Sequence, residues 1–366
     1  MRSSHAAAPG AIIEATRLTA AGRPHEATAL LQASLGIEAS EVPAQGQPWT
    51  SLKDLVGRVW PGTRGNSAAR GAGTEVAPAA GHFLLRSYRS TFGSRAYRLY
   101  VPSGYCGEPV PMVVMLHGCK QNAEDFAAGT RMNVHAEERT WIALYPEQSA
   151  GANGSRCWNW FRPEDQCRGG GEPALIAGMT RQVMDDFAVD PSRVFVAGLS
   201  AGGAAAAIMG SAYADIYAAV GIHSGLATGA AHDVASAFTA MRSGGRGRQV
   251  TGGIPLVPTI VFHGDRDETV NPQNAELLVE QLGAGVELKK RVKKGQVPGG
   301  HAYTRTRYLD PSDAELLELW LVHGAAHAWS GGSQTGSYTD PRGPDATCEM
   351  VKFFARHPGR GISTCL

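Results

Sequence analysis

From residue 112 onward the chain carries short, almost wholly apolar runs at 112–116, 141–145, 194–197, 219–222, 259–262 and 316–322. None of them alternates, so each predicts a strand buried on both faces, as in a parallel sheet. Between most of them the apolar residues recur at three- and four-residue spacing. That predicts helices over 134–139, 173–187, 201–209 and 272–282, with another over 344–354 after the last strand. Strands alternating with helices predict an α/β fold, a mostly parallel central sheet flanked by helices. Upstream, 82–88 and 95–101 alternate apolar with polar across a Gly-Ser turn, which predicts an antiparallel hairpin at a sheet edge.

Ahead of that hairpin the pattern changes again. Residues 11–20 and 25–35 carry apolar positions at helical spacing, separated by Gly22-Arg23-Pro24, a stop followed by a start. Residues 37–80 are rich in Gly, Ala, Pro and Ser with little periodicity. The expected organisation is a helical hairpin over 1–36, a linker over 37–80 and one large domain over 81–366.

An apolar content of 43% in 366 residues supports a sizeable core. A formal net charge of +1 gives no reason to expect nucleic acid or an anionic membrane as partner. No apolar run approaches the roughly 20 residues of a membrane span, and no apolar segment follows the N-terminus as a secretory signal would. The six cysteines are even in number but include no C-x-x-C pair, so disulfides are permitted and a zinc site is not expected. H-E-x-x-H, P-loop and G-x-G-x-x-G patterns are likewise missing, so neither metal nor cofactor is expected.

The chemistry centres on Gly198-Leu199-Ser200-Ala201-Gly202, a G-x-S-x-G pattern between a short strand and an Ala-rich helix. A strand turning sharply into a helix leaves no space two positions either side of the turn, hence glycine at 198 and 202. The turn exposes the Ser200 hydroxyl at a helix N-terminus. In a chain with 46 Gly such a match is weak alone. Its weight comes from the other polar groups, which also follow strand ends: His117-Gly118-Cys119, Asp265 and Asp267, and His323 and His327.

A serine hydroxyl needs a base, and histidine serves at neutral pH when a carboxylate fixes its tautomer. For the base, His327 beyond the last strand is preferred to His323 at the strand end and to His301 in a Gly-rich loop. For the acid, Asp267 is preferred to Asp265, which sits nearer the strand end where it can hold the turn. The order serine, acid, histidine is that of α/β-hydrolases. The backbone N–H groups of Ala201 and Cys119 are the expected oxyanion donors. The loop 149–171 carries Trp158, Trp160 and Phe161, read either as a wall of the substrate cleft or as a small satellite core. Trp329, two residues past His327, is a further candidate for the cleft.

Together, Leu116-His117-Gly118-Cys119 with Gln121, Cys157-Trp158-Asn159-Trp160-Phe161, Gly198-Leu199-Ser200-Ala201-Gly202-Gly203, His263-Gly264-Asp265 and His327-Ala328-Trp329 resemble the polyhydroxybutyrate depolymerase family of esterases. The resemblance covers roughly 82–356. It implies an α/β-hydrolase fold and a cofactor-free Ser-His-Asp carboxylesterase acting on hydroxyalkanoate esters, or on feruloyl or acetylxylan esters. Carried over by position, Ser200, Asp267 and His327 are the triad, and Cys119 and Ala201 supply the oxyanion donors. A Cys119–Cys157 bond and an extracellular setting are also implied. The chain departs from the family in having Ser330-Gly331 where Pro-Gly is usual. It also shows no threonine-rich linker or substrate-binding domain, so adsorption to insoluble polymer is not expected of it. Two other readings keep the same fold: a binding protein docking through its N-terminal hairpin, and an acyltransferase or peptidase using the same triad.

Overall fold

A strand without polar side chains is stable only when both its faces are covered, and the apolar runs satisfy this as inner strands of one ten-stranded sheet. The computed structural model describes residues 81–248 and 256–359. The chain divides into two units, Met1–Ala79 and Ala80–Leu366. The hairpin expected over 1–36 and the linker expected over 37–80 lie outside the described residues.

In chain order the strands are β1 (His82–Ser90), β2 (Gly93–Val101), β3 (Val110–Leu116), β4 (Ile142–Pro146), β5 (Val189–Leu199), β6 (Ala219–His223), β7 (Thr259–Gly264), β8 (Lys289–Gln296), β9 (Ala302–Leu309) and β10 (Glu315–Val322). Across the sheet they run β1-β2-β4-β3-β5-β6-β7-β10-β9-β8. The six from β4 to β10 are parallel. The expected hairpin β1–β2 forms one antiparallel edge. A small second sheet joins β11 (Trp329–Ser330) to β12 (Thr339–Asp340).

Alternate residues of each inner strand enter opposite cores. Met112, Val114 and Leu116 pack with Leu175, Ile176, Ile208 and Leu278. These come from α3 (Gly171–Asp186), α4 (Ala201–Ala212) and α6 (Gln273–Leu282), and α5 (Val234–Ser243) joins the same side through Ala237 and Ala240. Val113 and Met115 pack on the other side with Phe126, Met132 and Phe354, from α1 (Ala123–Thr130), α2 (Met132–Arg139) and α7 (Ala346–Arg356).

The opposite edge, β8–β9, is a hairpin that the hydrophobic pattern does not reveal. In β8 the residues Lys289, Lys290, Arg291, Lys293 and Lys294 leave no alternation to read, and nearly the whole strand is exposed. Lysines suit an outermost strand because their charge opposes pairing with another chain. The short helices α1 and α5 also escape the periodicity. Each is fixed by a side-chain cap, Asn122 to the Asp125 N–H and Asp233 to the Ser236 N–H.

Candidate active site

Four loops leave the carboxyl ends of β3, β5, β7 and β10, and backbone contacts decide how they meet. The turn after β5 places Ser200 at φ 58° and ψ −120°, a strained conformation for a residue with a side chain. Its N–H is held by the His223 carbonyl at 2.8 Å. The glycines on either side are sterically required. A Cβ on Gly202 would come within 2.0 Å of the Leu116 oxygen, and one on Gly198 within 2.2 Å of the Gly202 oxygen.

The loops after β7 and β10 are joined to each other. Asp265 N–H donates to the Val322 carbonyl at 3.0 Å and Arg266 N–H to the Ala325 carbonyl at 2.9 Å. Gly264 permits this approach, since a Cβ there would meet the Ala325 oxygen at 2.3 Å. The result places His327 Nδ1 2.7 Å from Asp267 Oδ2. Asp267 Oδ1 meanwhile accepts from the N–H groups of Thr269 and Val270, at 3.0 and 2.8 Å. Burial pushes the Asp267 carboxyl upward in pKa, but the His327 bond, the nearby His327 and His263 and the Val270 N–H outweigh it and hold it below the ordinary value. The Nδ1 bond leaves His327 Nε2 for the serine. Among the described residues no hydrogen bond joins Nε2 to Ser200 Oγ, a contact that commonly tightens only around substrate.

Asp265 and His323 form a separate pair. Asp265 Oδ2 lies 2.9 Å from His323 Nδ1, and its Oδ1 accepts from Gly324 N–H at 2.6 Å. His323 Nε2 is engaged by Thr304 Oγ1 at 2.8 Å. Asp265 thus fastens the start of the histidine loop, while His301 is bonded through Nε2 to Asp340 at 2.8 Å, its Nδ1 3.4 Å from where a Cβ on Gly324 would lie.

The loop after β3 approaches from the other side, where a Cβ on Gly118 would lie 3.6 Å from Ser200 Cβ. Most of its amides are already bonded. Gly118 N–H donates to Gln121 Oε1 at 2.9 Å, Lys120 N–H to the Ser155 carbonyl at 2.7 Å and Gln121 N–H to the Gly118 carbonyl at 3.3 Å. The Cys119 N–H has no acceptor among the described residues, and Ala201 N–H opens helix α4, where amides lack intrahelical partners. A disulfide ties Cys119 to Cys157 and so fixes this loop to the loop 149–171.

Residues 95–287 match the family described as esterase PHB depolymerase. The chain belongs to that family. Poly(3-hydroxyalkanoate) depolymerase C of Paucimonas lemoignei is 31% identical over 253 residues, which cover 65% of this chain and 60% of that protein. Feruloyl esterase B of Thermothelomyces thermophilus is 31% identical over 250 residues, 63% of this chain and 82% of that protein. The match therefore spans less than two thirds of the depolymerase's own length. The fold is that of the α/β-hydrolases. It is shared with the acetyl xylan esterase from Aspergillus awamori, at TM-score 0.56 and 18% identity over 75% of this chain and 99% of that one.

For this member of the esterase PHB depolymerase family, the aromatic expectation needs correcting. Trp158 and Trp329 are 0% and 1% exposed and Trp160 is 6% exposed, so none presents a face to a ligand. Trp158 packs against His117 with centroids 5.6 Å apart. Trp329 stacks on His223 at 5.2 Å and donates from Nε1 to Thr347 Oγ1 at 2.9 Å. Rings this large are worth more as braces, where their whole area leaves water.

The sequence reading passes over three buried groups. His223 ends β6 and touches both the serine turn and the histidine loop. Its place at a strand's carboxyl end is the signal that marked the other candidates. Gln148 donates its N–H to His117 Nε2 at 3.1 Å and its side-chain amide to Glu172. Glu172 accepts from Asn159 N–H and Nδ2, each at 2.7 Å. Burial, then the adjacent Asp165, push the Glu172 carboxyl up to about 7. Glu172 sits in the first turn of a helix after three glycines, where sequence alone suggests a solvated end.

Proposed function

We propose that the chain is a serine carboxylesterase working through an acyl-enzyme. Ser200 Oγ attacks the ester carbonyl carbon while His327 Nε2 takes its proton. The N–H groups of Cys119 and Ala201 donate to the oxyanion. The imidazolium, steadied by Asp267, returns the proton to the departing alcohol. His327 then deprotonates water, which attacks the acyl carbon and releases the carboxylate and Ser200. The observation that carries this reading is the 2.7 Å bond between His327 and Asp267, on loops that converge with the strained serine turn.

The favoured substrate is a hydroxyalkanoate ester or oligomer, in line with family membership. A feruloyl ester is the second reading, supported by the fuller coverage of feruloyl esterase B. The Cys119–Cys157 bond supports an oxidising, extracellular setting. The test is turnover on 4-nitrophenyl acyl esters, hydroxybutyrate oligomers, feruloyl esters and acetylated xylan, with Ser200→Ala as control. Oligomer hydrolysis should exceed the others at equal enzyme and be lost in Ser200→Ala. Unchanged hydrolysis in that variant would refute the mechanism, and preference for feruloyl esters would select the second reading.

A further inference from the structure

We infer that His223 is a positioning residue that sets the histidine loop in register with the serine turn. The inference rests on the proposed acyl-enzyme mechanism. His223 bonds to both halves of the site through different atoms. Its backbone carbonyl accepts from Ser200 N–H at 2.8 Å. Its side chain reaches the other way, Nε2 accepting from Ser330 N–H at 3.0 Å, three residues beyond His327. The ring lies between Phe262 and Trp329, with centroids 5.8 and 5.2 Å away and interplanar angles of 14° and 27°. Phe262 belongs to β7, whose end leads into the Asp267 loop. One buried residue thus contacts the segments that carry all three members of the triad.

The role requires a neutral ring. Because Nε2 accepts, the proton is on Nδ1, which faces Ser224 Oγ at 3.3 Å. Burial, then the neighbouring His263 and His327, push the pKa down to about 3, so the acceptor survives when His327 gains its proton during turnover. A residue held between the two loops transmits any displacement directly to the geometry between nucleophile and base. A misplacement of about 1 Å there is worth on the order of 10²-fold in rate.

His223→Phe keeps the stacking and the backbone carbonyl but removes the acceptor. His223→Gln returns an acceptor at the position of Nε2. His223→Asn keeps an amide beside Ser224 but is too short to reach the Ser330 N–H. Each is compared with the parent by kcat and KM on a soluble 4-nitrophenyl ester, by the rate of Ser200 labelling with an organophosphate, and by Tm. Rates are normalised to the active sites that the organophosphate titrates.

For His223→Phe and His223→Asn, kcat and labelling rate should fall together, on the order of 10²-fold with KM held within about 3-fold. His223→Gln should recover most of that loss. Normalised rates equal to the parent, with only Tm lowered, would overturn the inference, as would a Gln variant no better than Phe or Asn. If His223→Phe does not fold, His223→Asn and His223→Gln still decide the matter. A parent protein that neither labels nor turns over would refute the mechanism instead and is thereby distinguished.

Discussion

Two aspartates two positions apart meet different fates, and the reason is reach. Asp265 is still in the turn after β7, so its carboxylate falls on Gly324 N–H and His323. Asp267 lies further out and turns inward, with its side chain wholly buried against His327. Asn at 267 would leave the imidazole facing a wrong donor. The expected loss in kcat/KM is on the order of 10⁴-fold with little change in Tm. Asp265→Asn keeps an acceptor for Gly324 and is expected to stay within about 10-fold in rate while lowering Tm through the loosened loop. Equal losses in the two variants would reverse the assignment. The sequence could rank these residues but not decide between them, since loop reach is a tertiary quantity.

Among the elements, the two loops joined by Cys119–Cys157 depend most on one covalent link. The cysteines are 38 positions apart, and in the chain-entropy view closing such a loop stabilises by up to about 4 kcal/mol. The bond also holds the segment that carries the Cys119 N–H. Cys119→Ser with Cys157→Ser should lower the denaturant midpoint and kcat together, and dithiothreitol should do the same to the parent protein. An unchanged kcat would show that Gln121 and the Lys120–Ser155 bond hold the loop unaided. At this scale the inner strands were legible because double burial leaves a purely apolar signature. The β8–β9 hairpin was not, because a charged edge strand is defined by its one neighbour rather than by its own side chains.

Across the whole molecule, buried ionisable groups make stability depend on pH. Burial lowers His117 to about 4 and His223 to about 3 from an ordinary 6.5. Below pH 6.5 the unfolded chain takes up protons that these folded side chains refuse, so both contributions fall as pH drops. Glu172, raised from 4.5 to about 7, acts in the opposite sense. Between those values the folded chain keeps a proton that the unfolded chain has lost, and stability falls as pH rises. Burial also raises Glu318 to about 7, so from pH 6.5 to 4.5 two histidines oppose two glutamates and these four contributions about cancel. Below 4.5 neither glutamate differs between the states, and stability should fall with pH until His117 charges. Denaturant midpoints at pH 4 to 8 test this, and from pH 6.5 to 4.5 Glu172→Gln should lose about 1.4 kcal/mol per pH unit more than the parent. Parallel curves for the parent and Glu172→Gln over that range would contradict the assignment. Local spacing by itself determined the α/β alternation, the strand ends that carry polar groups and the serine turn, because double burial and steric exclusion at Gly198 and Gly202 are written in neighbouring residues. Only the tertiary structure decided that Asp267 rather than Asp265 meets His327, that the tryptophans brace instead of face the cleft, and that His223 lies between serine and histidine. Those outcomes depend on which loops touch across the sheet, and no residue's own neighbours in the chain record that.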